Sequence, residues 1–521
     1  MSRLERAGAA LLIAAAALPF WAGRFLPLLD LPQHLGLAAV IARAGDASSS
    51  LSRYYQVDVG ITPYWAYYGT MWLLTRALPV ELANRVVLSL YAIGIPLASA
   101  YLLASFGRDR RWAVLTLPLV FGTHLFFGFA TFLVSIPLFL VALGLAERHL
   151  ADDRTRARHE IPLAVASALV FLGHAQTYLL LGACVLVLLA VHGRGLRFVV
   201  VRCAPFLPSL ALFAVWAWRN FVAPERAMQP LHTVHYTTYG RPGALGAVFE
   251  PFPVVLRTIP ERLFGAFGDG SDLALGAVAG LLAAVAIASS YGPAAVPRRD
   301  GDAGPVRAWV LAHRCDLLVL ALAASYLFLP MEIAGMWYLN ARHLVFAALA
   351  LPLLLAAPAT GMRRALIAAA AAVTLAVCAN VVREVRAFQR QVGEFAVIAR
   401  ALPPGGRVLG LPFDLGVGGP VRLWPFLHFA CYEQVLAGGD AGFSFAGLPS
   451  IPVRYRPGMQ APHPYEWRPD QLDWATMGGA YDAFLVSGSP RGRGGAELTR
   501  HAEPVVGAGP FTLWKPRRSP P

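Results

Sequence analysis

Charge is scarce in this chain. Of its 521 residues 57% are hydrophobic and only 14% are charged, whereas a soluble globular chain carries roughly 25% charged residues. Much of its surface must therefore face something other than water. Cysteine is scarce too. Cys184, Cys203, Cys315 and Cys378 lie in or beside apolar segments, and only Cys431 falls in the polar tail. A single thiol in an exported domain excludes an internal disulfide framework, and no metal-type cysteine spacing is present. The sequence also lacks a Walker-type loop, a Gly-rich dinucleotide fingerprint opening a helix, a G-x-S-x-G elbow and an H-E-x-x-H pair. Gly416-Val-Gly-Gly419 has the composition of a turn. No internal repeat recurs at a fixed period.

What is present is apolar sequence in long runs. Stretches near the 20 or so residues that span a bilayer fall at 7–27, 83–106, 112–128, 130–149, 161–175, 176–193, 203–221, 271–292, 316–331, 343–359 and 364–382. They predict an all-α polytopic membrane protein with about eleven transmembrane helices. The first run ends in Arg24-Phe-Leu-Pro rather than in a small-residue cleavage site, so it reads as a retained helix. The 40 prolines and 48 glycines suit a membrane protein, because neighbouring helices re-satisfy the backbone groups they free. The formal charge of +14 does not point to nucleic acid. Arg108, Arg110 and Arg111, then Arg148, Arg154, Arg156 and Arg158, then Arg194, Arg197 and Arg202 each sit in a short gap between apolar runs. That is the positive-inside pattern and not a basic groove.

Orientation follows from the same arginines. Arg3 and Arg6 precede the first run and place the N-terminus in the cytoplasm; the Arg-rich gaps 107–111, 150–160, 194–202, 294–314 and 360–364 then all land inside. The segments 27–82, 222–270, 332–342 and everything past about 383 land outside. Residues 1–383 thus form the transmembrane part and 384–521 an extracytoplasmic domain. Within 27–82, Gln33 to Ala44 and Tyr64 to Leu78 have the spacing of two helices lying in the membrane interface. Segment 222–270 reads as an irregular Pro-rich loop ending in a short helix. In the tail, a helix leaving the membrane over 384–401 stops at Pro403-Pro404-Gly405-Gly406. Strand-like runs Arg407–Leu411, Ala483–Ser487 and Phe511–Trp514 follow, predicting a small α/β domain.

Three groups of residues could carry chemistry. Asp30 and His34 stand in Leu28-Leu-Asp-Leu-Pro-Gln-His-Leu35, where the first run reaches the outer surface. If a helix starts here the two share a face, and a carboxylate at the rim of a partly apolar cavity can accept a hydroxyl proton. Asp before Leu-Pro is equally the pattern of an N-cap. Arg342 and His343, in Trp337-Tyr-Leu-Asn-Ala-Arg-His343 shortly after Glu332, offer donors to a phosphate oxygen or serve as an interfacial anchor. The third group comprises His124, His174, Gln176 and Tyr178, with His232, His235, Tyr236 and Tyr239 in the long loop. His232 and His235 make no metal site, since no third ligand is evident.

This layout resembles the GT-C superfamily of membrane glycosyltransferases, which use polyprenyl-phosphate-linked sugars. Asp30 matches the acidic residue that opens the family's first outside loop. Thr62 to Pro79 looks like its Pro-led, aromatic, Leu-rich segment. His174-Ala-Gln-Thr is similar to a His-Pro-Thr-type turn without the proline, and Asn340-Ala-Arg-His343 resembles an Arg-Tyr opening of a late helix near the lipid phosphate. The first loop has no Asp-Glu or Asp-x-Asp pair, a departure from metal-dependent subtypes, and its Asp30-Leu-Pro-Gln-His34 run looks like that of bacterial GT-C-like proteins. The resemblance implies an inverting transfer, in a bacterial inner membrane, from a polyprenyl-phosphate sugar to an extracytoplasmic glycan, lipid or protein. In it Asp30, with His34, acts as base, and Arg342, His343, Glu332, His174 and Tyr178 meet substrate. It implies no cofactor and no metal ligand. A non-catalytic GT-C-like subunit and a transporter of lipid-linked precursors are the alternatives.

Overall fold

The computed structural model describes residues 3–46, 48–152, 157–222, 246–296, 304–333, 336–356, 360–448 and 451–517. His232, His235, Tyr236 and Tyr239, and with them much of the expected loop 222–270, lie outside the described residues.

The chain is mostly helical, and among the described residues six helices are long and apolar enough to cross a bilayer: Val80–Ser105, Ala130–Ala151, Ala175–His192, Leu196–Asn220, Ser271–Ser290 and Gly361–Val392. Each matches one expected run. The run at 316–331 becomes a pair, Pro305–Ala312 and Arg314–Phe328, bent by 57°, which makes a seventh crossing if the pair counts as one. The other four runs form shorter pieces. In three of them proline is the physical reason, since it removes a backbone donor and clashes with the carbonyl four residues back. Pro19, Pro118 and Pro352 each sit at the start of a 3-10 turn, at Leu18–Trp21, Pro118–Phe121 and Leu351–Leu354. The fourth run forms the helix Ala157–Gly173, at 17 residues. The apolar window of Ser271–Ser290 is only 17% buried and exposes Val278, Leu281 and Val285, as a helix does when lipid is its neighbour.

The first outside segment holds the two expected helices, Leu31–Ala42 and Trp65–Leu74. The first has no exposed face: Leu31 to Ile41, Gln33 and His34 among them, are all buried. The tail covers it. Strand β1 (Tyr55–Val57) follows, and the hairpin β2 (Glu332–Ile333) and β3 (Met336–Trp337) precedes the helix Leu339–Ala350.

The helix Thr360–Val392 runs unbroken past residue 383 and delivers the chain to a five-stranded mixed sheet. Its strands are β4 (Arg407–Pro412), β5 (Asp440–Ala441), β7 (Ala483–Ser487), β8 (Ala502–Ala508) and β9 (Phe511–Pro516), in the order β5-β4-β7-β9-β8. β4 runs parallel to β5 and β7, and β9 antiparallel to β7 and β8. The central strands are buried on both faces, as their continuous apolar sequence requires. Leu409, Leu411, Phe484 and Val486 pack on Leu498 on one side. Val408, Leu485, Phe511 and Leu513 join the main core on the other, where Phe511 meets Phe395 and Phe429 at 5.2 and 4.7 Å. Strand β6 (Val453–Tyr455) leaves this sheet and pairs antiparallel with β1. The Tyr55 hydroxyl also donates to the buried Asp440, so the first segment and the tail share backbone and side-chain bonds.

Candidate active site

Asp30 is fixed through its backbone. Leu29 N–H and Asp30 N–H donate to the carbonyls of Phe126 and Phe127 at 2.9 and 3.0 Å. That approach is possible only because residue 128 is glycine. Gly128 has φ +74°, and a Cβ there would stand 2.7 Å from the Asp30 nitrogen. Asp30 occupies the N-cap position of Leu31–Ala42, with Pro32 in the first turn, yet its carboxylate makes no capping bond. It faces the tail instead, with Oδ1 3.4 Å from Nε2 of His428.

His428 is the residue that sequence reasoning missed. Its ring is 4% exposed, lies parallel to Phe443 at 6.0 Å and meets the edge of Phe445 at 5.5 Å. Nδ1–H donates to Oε2 of the buried Glu466 at 2.5 Å. Gln33 ties down the adjoining strand of chain: its amide nitrogen donates to the Phe443 carbonyl at 3.2 Å, and its oxygen accepts from Phe445 N–H at 2.9 Å. Burial alone would lower the proton affinity of His428, but the carboxylates of Glu466 and Asp30 outweigh it and raise the pKa from 6.5 to about 9. Asp30, His428 and Glu466 thus stand in series, with the imidazolium of His428 between the two carboxyl groups. The one legible signal was a single polar residue inside the apolar run Trp424 to Cys431 of the outside tail.

His34 lies within electrostatic reach of Asp30 and His428 but bonds elsewhere. Its Nδ1 is 2.8 Å from the Tyr68 hydroxyl and its ring packs between Tyr67 and Phe445. Burial lowers its pKa to about 4, so it is neutral. The ion-pair partner of Asp30 therefore comes from the tail, while His34, whose backbone N–H donates to the Asp30 carbonyl at 3.1 Å, turns its ring to Tyr68.

Arg342 opens the helix Leu339–Ala350 and is also within electrostatic reach of Asp30. Its guanidinium lies 4.2 Å from the Phe129 ring centre and donates to the Gln176 oxygen at 3.4 Å. Among the described residues it forms no ion pair, and its buried Nε has no hydrogen-bond partner. Next to it, both ring nitrogens of His343 and both amide atoms of Asn340 are buried without a hydrogen-bond partner among the described residues. His174, with Nδ1 unpartnered, packs between Tyr64 and Phe132 and feels Arg342, His343 and His34 electrostatically. A small apolar cluster ties these places together: Leu29, Ala341 and Leu427 with Trp467 packed against them, the chain neighbours of Asp30, Arg342, His428 and Glu466. The other expected residues have their own surroundings. Tyr178 is engaged with Ser209 at 3.0 Å within the helix packing, and Glu332 is buried in the β2–β3 hairpin. His124 pairs with the Tyr91 hydroxyl at 3.0 Å.

No protein-family model and no curated protein matches this chain. Among solved structures it is similar to ArnT from Cupriavidus metallidurans bound to undecaprenyl phosphate, at 11% identity and a TM-score of 0.51 over 98% of this chain and 97% of that one. Apo ArnT from the same organism gives 12% identity and a TM-score of 0.46 over 98% of each chain. The mycobacterial arabinofuranosyltransferase AftD gives 15% identity and 0.47, over 99% of this chain and 42% of its own. The first of these carries the fold assignment, since it alone combines near-complete mutual coverage with a score above one half. At 11% identity this likeness shows the fold alone: the chain folds as that membrane protein does over nearly its whole length.

Proposed function

We propose that the protein is an inverting membrane glycosyltransferase. It takes a sugar from a polyprenyl-phosphate donor that enters from the outer leaflet of a bacterial inner membrane. Its eleven expected spans leave the N-terminus in the cytoplasm, and 27–82 together with 384–521 outside. Arg342, with His343 beside it, receives the donor phosphate. Asp30 takes the proton of the acceptor hydroxyl as that oxygen attacks the anomeric carbon. One observation carries this reading: a carboxylate released from capping and a guanidinium with no ion pair among the described residues lie within electrostatic reach of each other. Buried unpartnered donors beside Arg342 suit an anionic ligand, because orphaned buried polar groups cost free energy until something satisfies them. An apolar groove of about 290 Å³, lined by Leu119, Leu263, Phe264, Gly276 and Gly280 and by Ala348 of the helix that Arg342 opens, is of the kind an isoprenoid chain fills. That ArnT was solved with undecaprenyl phosphate bound supports the same donor class here.

The test is Asp30→Asn, with membranes supplied with undecaprenyl-phosphate-linked sugars and consumption of the lipid-linked sugar followed. Loss of a general base should slow turnover by roughly a hundredfold or more. Undiminished turnover at normal expression removes Asp30 as the base.

A further inference from the structure

We propose that the tail supplies the positioning cation of the active site: His428, fixed by Glu466, holds one oxygen of Asp30 and leaves the other for the acceptor hydroxyl. The inference rests on Asp30 as the base and adds what aims that base.

The geometry has three parts. Glu466 Oε2 and His428 Nδ1 are 2.5 Å apart, and His428 Nε2 and Asp30 Oδ1 are 3.4 Å apart. One carboxylate thus fixes the tautomer and orientation of the ring while the opposite nitrogen addresses the other, the logic by which an acid orients a catalytic histidine. The flanking Phe443 and Phe445, held by Gln33, keep the ring from turning. With both nitrogens already protonated, His428 cannot itself receive the acceptor's proton. The proton goes to Asp30 Oδ2 as the new oxygen–carbon bond forms. The bond from the anomeric carbon to phosphate oxygen breaks, and its electron pair leaves with the phosphate beside Arg342. Asp30 then releases the proton to water as product departs, while His428 stays charged throughout.

A single cation cannot serve both the donor phosphate and Asp30. The titratable groups that face this centre are the carboxyls of Asp30 and Glu466, the cations His428 and Arg342, neutral His34, and Tyr68 and Cys431, both with pKa raised by burial. When a donor phosphate binds Arg342, that cation is shared, and His428 alone opposes the repulsion between Asp30 and the incoming anion.

The experiment needs no known sugar or acceptor. Purified protein in phosphatidylcholine nanodiscs at pH 7 is treated with dicyclohexylcarbodiimide, which modifies protonated carboxyls in apolar surroundings. The Asp30 peptide is then quantified by mass spectrometry. Removing the cation in His428→Gln should speed Asp30 modification at least about tenfold. Glu466→Gln, which keeps the imidazole, should move it in the same direction by less. A ¹⁵N spectrum of the unmodified protein should show both His428 nitrogens protonated at pH 7.5. Equal modification rates in the wild type and both variants, or a neutral His428, overturn the proposal; the spectrum decides the matter even if His428→Gln fails to fold. A fully active Asp30→Asn with the labelling contrast intact would sink the base and leave the cation standing.

Discussion

Replacing His428 by glutamine should change how stability depends on pH, and the size of the change follows from the site. Glu466 and Asp30 raise the proton affinity of His428 against its burial, from 6.5 to about 9. At about 1.4 kcal/mol per tenfold change in affinity, the proton bound in the folded state contributes about 3 kcal/mol. Because the folded value lies above the unfolded one, this contribution is complete below pH 6.5 and is lost as pH rises through 9. Glu433 acts in the same direction. Burial first, then Asp482 and Asp440, raise its carboxyl to about 9, so its contribution, complete near pH 4, also drains away by pH 9. The wild type should therefore weaken steeply between pH 6.5 and 9, and only part of that slope belongs to His428. The diagnostic is the difference between two proteins. His428→Gln should be less stable than the wild type at pH 6 by about 3 kcal/mol and should converge with it near pH 9.5. Unfolding followed by tryptophan fluorescence in detergent, at half-unit pH steps, reads both curves. Parallel curves across the whole range would refute the reasoning.

Two further substitutions probe the other anchors. Arg342→Ala should weaken binding of undecaprenyl phosphate by about tenfold or more, and Arg342→Lys should recover only part of it, since an ammonium lacks the two-pronged fork; titration in nanodiscs measures both. Gly128→Ala places a methyl 2.7 Å from the Asp30 nitrogen at φ +74°. It should cost about 1–3 kcal/mol in stability and lower turnover by displacing Asp30, which unfolding and transfer assays check separately.

How far the sequence reveals this molecule depends on how local each feature is. The long helices are legible because twenty apolar residues carry their own signature, and each of the six long spans coincides with a run seen in the sequence. The runs containing Pro19, Pro118 and Pro352 look equally apolar, but composition does not register the break that one ring imposes. The strands at 407, 483 and 511 are legible from their apolar character and turns, although their order and direction are not. Asp30 stands out because a carboxylate directly after an apolar run is conspicuous. Its partner does not, since nothing near His428 or Glu466 signals a contact with the other end of the chain. His34 is legible as a residue close to the site but not for its bond to Tyr68, because helical spacing says nothing about what covers a helix.

The joining of β1 to β6, with Asp30 near one end of the chain and His428 and Glu466 near the other, has a bearing on biosynthesis. On the proposed function, Asp30 and the long apolar helices are synthesised well before His428 and Glu466, so a chain cut short of residue 428 would keep those helices and lack both residues that hold Asp30.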